Sequence, residues 1–141
     1  MREHKSAESS PFIVGLMGGS LTLSDYTRYL VNMAWLYRAL ENQVLRGVAV
    51  AGSEGLWDPR LNRVESITSD LENLGVSYWS HTTKPSGAMR SYIEHLSSLG
   101  GKSDPRLIAH HYTRYLGDLS GGQAIAALVA SQKGSAAAGS K

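Results

Sequence analysis

Tyr112-Thr113-Arg114-Tyr115-Leu116-Gly117-Asp118-Leu119-Ser120-Gly121-Gly122-Gln123 is the stretch on which the fold turns. It lies inside a helix that the apolar spacing predicts from Asp104-Pro105 toward Gln132. Each interior glycine costs roughly 0.8–1.0 kcal/mol relative to alanine. Gly117, Gly121 and Gly122 together are a large penalty for an ordinary packing helix. Gly117 and Gly121 are four residues apart and share one face. A face without side chains lets a partner come close to the backbone, and glycine pairs permit a kink. Two partners fit that face: a second helix, or a flat, bulky ligand. Arg114 and Asp118 are also spaced by four. They read as a surface ion pair of roughly 0.3–0.5 kcal/mol; alternatively the Asp118 carboxylate, beside Gly117, borders the bare face, where it can hold water for proton transfer.

Working outward, helical periodicity dominates the rest of the 141 residues. The spacing predicts a first helix from Met1 to Ser9-Ser10, ended by Pro11, then a short apolar segment, Phe12 to Met17, closed by Gly18-Gly19. A second helix is predicted from Ser24 to Arg46, with Ser24 as N-cap. Its apolar stripe is Tyr26, Leu30, Met33, Tyr37, Leu40 and Val44. Asp58-Pro59 predicts a third helix, with Leu61, Val64, Ile67 or Thr68, and Leu71 inward and Gly75 at its end. A fourth runs from Gly87 to Leu99. Residues 134–141 are small and polar and read as a disordered tail, which leaves one helical domain over 1–133.

Composition excludes several classes. The chain has no cysteine, so disulfides, thiolate metal sites and cysteine nucleophiles are out. Net charge is +2 with both signs interspersed, which does not make a nucleic-acid surface. No apolar run reaches the length of a membrane span. The opening Met1-Arg2-Glu3-His4-Lys5 lacks an export pattern, so the expected location is the cytoplasm. A metal here needs histidine, carboxylate or tyrosine. His4 and Glu8 repeat the spacing of four. They read as a frayed terminal pair, or as an imidazole ligand whose second ring nitrogen is held by a carboxylate. His81 reads as a solvated loop residue, His95 as a surface residue of the fourth helix, and His110 and His111 as structural.

Tyr112 to Gln123, preceded by Ala109-His110-His111, resembles the distal helix of the haem oxygenase family, and Gly117-Asp118-Leu119-Ser120-Gly121-Gly122-Gln123 is the specific part of the match. His4-Lys5-Ser6-Ala7-Glu8 is similar to that family's proximal segment. Ala34-Trp35-Leu36-Tyr37-Arg38-Ala39-Leu40-Glu41 resembles its second-helix segment, and Asp58 to Arg63 fits its bacterial branch. The resemblance covers His4 to about Gln132, with the motifs in family order.

The resemblance implies an all-α, multi-helical fold and an enzyme that opens haem b to biliverdin, carbon monoxide and iron. O2 and an external ferredoxin- or flavoprotein-type reductase would supply oxygen and electrons. It makes His4 the iron ligand and Glu8 its orienting group. Gly117 and Gly121 would lie against the porphyrin and Tyr112 would meet a propionate. Asp118 would anchor distal water, supported by Arg114 and Tyr37. Against the family pattern the chain reads as shortened at both ends, and the fold as incomplete on the C-terminal side. The alternatives are a haem binder or carrier without turnover, and a helical interaction module without cofactor. Intact Tyr37, Arg114 and Asp118 favour the enzyme over the binder, which needs no proton-delivery network.

Overall fold

A computed structural model describes residues 5, 9–47, 58–99 and 104–138. Among the described residues every regular element is a helix, as expected: α1 (Pro11–Met17), α2 (Leu23–Gly47), a 3-10 turn (Pro59–Leu61), α3 (Val64–Asn73), α4 (Trp79–Thr82), α5 (Gly87–Ser98) and α6 (Pro105–Ala138). The chain falls into two compact units, Thr27–Tyr115 and Met1–Tyr26 with Leu116–Lys141.

Within Thr27–Tyr115 the core follows the predicted stripe of α2. Leu30, Met33, Tyr37 and Leu40 are buried, as are Val31, Ala34 and Leu36 on the flanks of the stripe. The other helices contribute Ile67, Leu71, Trp79, Leu96 and Leu107. The third helix differs from expectation. Asp58 caps only a 3-10 turn, accepting from the Arg60 amide at 2.8 Å. The α-helix starts later, at Val64, because a side chain from α2 caps it. The buried Glu41 carboxylate accepts from the Arg63 amide, and from the Val64 amide at 3.2 Å. Burial pushes the Glu41 pKa up against the opposing pull of those two amides and of the Arg63 charge.

Gly75 does end α3. It sits at φ +81, and the Val76 and Gly75 amides return to the Leu71 and Glu72 carbonyls at 2.8 and 2.9 Å, a Schellman turn. Tryptophans join α2, α3 and α4. Trp35 and Trp79 meet edge to face at 5.2 Å. Their indole N–H groups donate to Thr83 and Thr68 respectively, and the Arg38 guanidinium lies over both rings. Ser86 caps α5. Asp104 accepts from the Arg106 amide and guanidinium, which holds its pKa down to about 2. The Asp-Pro start of the last helix is therefore as the sequence indicates.

Within the other unit, the short apolar segment that the sequence indicates is a helix opened by Pro11; its missing N–H costs nothing at the first helical position, and the Ser10 hydroxyl accepts from the Ile13 amide at 3.4 Å. The helix expected from Met1 to Ser9-Ser10 lies almost wholly outside the described residues. The N-cap of α2 is Thr22, not Ser24. The Thr22 hydroxyl accepts from the Asp25 amide at 3.2 Å, while the Asp25 carboxylate accepts from the Thr22 amide at 3.0 Å. This reciprocal box satisfies two donors that Ser24 alone would leave open. The last helix continues to Ala138, through residues whose composition suggested a tail; Ala136 to Ala138 are the strongest of helix formers.

Candidate functional site

The site residues divide between the two units, and His4 and Glu8 lie outside the described residues. In Thr27–Tyr115, α2 carries Tyr37 and α6 carries Tyr112 and Arg114. Tyr37 has no exposed surface, so its hydroxyl is an interior group and needs a partner there. Tyr112 is exposed. Arg114 is half-buried, and one terminal N–H donates to the thioether sulfur of Met33 at 3.3 Å.

Sequence reading missed three residues around Arg114. Met33 was counted only as a member of the apolar stripe. Tyr92, on α5, bonds through its hydroxyl to His110 Nδ1 at 2.8 Å, with the rings 5.6 Å apart. Burial pushes the Tyr92 pKa up, and the nearby Arg114 charge pulls against that rise. The only advance signal for this group was spacing, since His110 precedes Arg114 by one helical turn. His95, read as a surface residue, is exposed but turns its ring toward His110 at 5.7 Å. His111 is buried, with Nε2 unbonded among the described residues, and burial lowers its pKa by disfavouring the charged ring. His81 is exposed, as expected, although it lies in the one-turn α4.

In the other unit, α6 carries Gly117, Asp118 and Gly121. Asp118 is half-buried, and both glycines are exposed. Among the described residues, a Cβ added at Gly117, Gly121 or Gly122 would meet nothing within 4 Å. The face is therefore bare and open, and no helix among the described residues occupies it. Leu116 and Leu119 beside it are exposed apolar side chains, 58% and 50% accessible. A flat apolar body could lie on this surface without displacing a side chain at either glycine position. Among the described residues no three histidine, aspartate or glutamate side chains gather as a metal cage, and no helix is long and apolar enough to cross a membrane.

These features define an all-helical protein with an open, glycine-bared face on a long helix. The model of the "Heme oxygenase" family matches residues 1–139. A heme oxygenase of Porphyra purpurea is 32% identical over 124 residues, 88% of this chain and 52% of that relative. Heme oxygenase 1 of Gallus gallus is 33% identical over 123 residues, 86% of this chain and 42% of its own length. Among solved structures, heme oxygenase-1 of Synechocystis in complex with heme has a TM-score of 0.80 at 30% identity, covering 91% of this chain and 58% of that one. Heme oxygenase from Leptospira interrogans has a TM-score of 0.78 at 34% identity, covering 92% and 63%. The chain belongs to the haem oxygenase family. It spans about half the length of the curated relatives it matches, for example 52% of the Porphyra protein.

Proposed function

We propose that this chain binds haem b and takes part in its oxidative opening to biliverdin, carbon monoxide and Fe2+, with O2 and electrons from a separate ferredoxin- or flavoprotein-type reductase. The observation that carries the reading is the open face at Gly117 and Gly121, where an added Cβ would meet none of the described residues within 4 Å beyond its own helix backbone. A helix that forgoes side chains there, at a cost of roughly 0.8–1.0 kcal/mol per glycine, fits a planar ligand laid against its backbone.

His4 would hold the iron, and Glu8 would take the imidazole's other N–H and fix its tautomer. Gly117 and Gly121 would let the main chain contact the macrocycle. Tyr112 is exposed, and its hydroxyl would donate to a propionate. When bound, the haem supplies the iron and oxygen chemistry and is itself the substrate. The protein's part is orientation, a neutral imidazole and placed protons. Asp118 would hold water with its carboxylate and pass a proton through it. Arg114 supplies fixed positive charge, and Tyr37 supplies a hydroxyl in the interior.

The test is hemin titration of the chain, followed by addition of a reducing system in air. The expected result is a Soret band displaced from that of free hemin, then conversion to biliverdin. A displaced band that stays stable under reduction makes the chain a haem binder without turnover. An unchanged hemin spectrum removes the reading and leaves a helical module.

A further inference from the structure

We infer that His95 and His110 form a two-histidine site for a divalent transition-metal ion such as Zn2+, with the Tyr92 hydroxyl orienting His110. All three residues belong to the unit Thr27–Tyr115, and the site stands whether or not the chain takes up haem. Tyr92 and His95 are three residues apart on α5 and share a face of that helix. Both meet His110 of α6. The Tyr92 hydroxyl bonds to His110 Nδ1 at 2.8 Å, and the His95 and His110 ring centroids are 5.7 Å apart. An ion at ~2.0–2.1 Å from one nitrogen of each ring holds the two centroids roughly 5 Å apart at a tetrahedral angle and about 6 Å apart at a linear one. The observed separation falls between those values, so a shared ion needs side-chain rotation and no backbone movement.

The two rings play different parts. His110 is half-buried, and its Nδ1 is taken by Tyr92. When that nitrogen carries the proton and donates it to the phenol oxygen, Nε2 keeps its lone pair for a metal. A second ring nitrogen held in this way fixes the tautomer and orientation of a ligating imidazole. Tyr92 itself stays a neutral partner rather than a third ligand, because burial raises its pKa. His95 is exposed, so an ion reaches the pair from water. The chain has no cysteine, and among the described residues no third histidine or carboxylate joins the pair, so water completes the coordination. Imidazole donors without carboxylates suit Zn2+, Cu2+ or Ni2+ and not Mg2+ or Ca2+, which require oxygen ligands.

The test is titration of the full, hemin-free chain with zinc chloride, followed by calorimetry and by proton–nitrogen NMR of the imidazole rings. The expected result is that a ring nitrogen of His95 and Nε2 of His110 shift together as a single ion binds, and that a chelator reverses the shift. His95→Ala changes an exposed side chain and leaves the Tyr92–His110 bond in place, so its helical circular dichroism should match the parent. Its affinity for the ion should fall by roughly a hundredfold, since one of two linked ligands is gone. Tyr92→Phe should weaken binding by about 10–100-fold. A tyrosine that merely packs between the helices would leave the zinc affinity unchanged. His4→Ala should keep the paired shift, which separates this site from the proposed iron ligand. If the two rings only pack edge to face, zinc moves neither resonance, and the inference fails. It fails equally if the ion binds His95→Ala as tightly as the parent. Unchanged zinc affinity in Tyr92→Phe overturns the orienting role of the phenol.

Discussion

Gly117→Ala should make the chain more stable and worse at taking up haem. Among the described residues, an added Cβ at Gly117 meets no atom within 4 Å beyond its own helix backbone, and this glycine does not adopt a positive φ. The substitution therefore introduces neither overlap nor backbone strain. What remains is helix propensity, which favours alanine by about 0.8–1.0 kcal/mol at an exposed interior position. For a chain of this size that gain raises the thermal midpoint by about 3–5 °C. Haem uptake should move the other way. The new methyl stands roughly 1.5 Å off the backbone. A ring resting on that backbone at the usual ~3.5–4.0 Å must withdraw and lose contact. The expected weakening is on the order of tenfold, or about 1.4 kcal/mol. Circular dichroism melting of the hemin-free chain reads the first effect, and hemin titration reads the second. A lower melting temperature would mean that the glycine face packs against protein. Unchanged hemin affinity would mean that the ring lies elsewhere. Either result refutes the reasoning.

Gly75→Ala should lower stability by about 1–2 kcal/mol in urea unfolding, because its surroundings are open and the whole cost comes from φ +81. Glu41→Ala should cost about 2 kcal/mol by the same assay, since it orphans the Arg63 and Val64 amides. Glu41 binds its proton more tightly in the folded chain, so its contribution is greatest below the ordinary carboxylate value and falls as pH rises through the raised one; a stability–pH series on Glu41→Gln should lack that slope. His111 has the opposite sign. Its lowered folded pKa gives full stability above the ordinary imidazole value, lost as pH falls through the lowered one. His111→Leu should abolish this acid slope and be neutral or stabilising at pH 8, because it removes a buried nitrogen that has no hydrogen bond among the described residues.

Much of the helical layout is legible where one or two residues set it. Asp104-Pro105 and Gly75 mark their boundaries because capping and positive φ are local properties. The α2 stripe from Leu30 to Leu40 marks its buried face because period and burial are linked. The start of α2 and the helix over Pro11–Met17 are less legible. Ser24 and Thr22 both suit an N-cap, and a short apolar run suits helix or loop; the hydrogen bonds of the flanking residues select one.

Read alone, the chain's sequence determined an all-helical protein and singled out the glycine-bared segment from Gly117 to Gly122. Periodicity, caps and missing side chains act within a few residues and leave their mark in the order of the letters. Only the tertiary structure decided that Glu41 starts a helix more than twenty residues away, that Met33 meets Arg114, and that Tyr92 bonds to His110. A hydrophobic pattern says which face turns inward. Which atom meets which across the core depends on how the helices pack, and that registers in no single stretch of sequence.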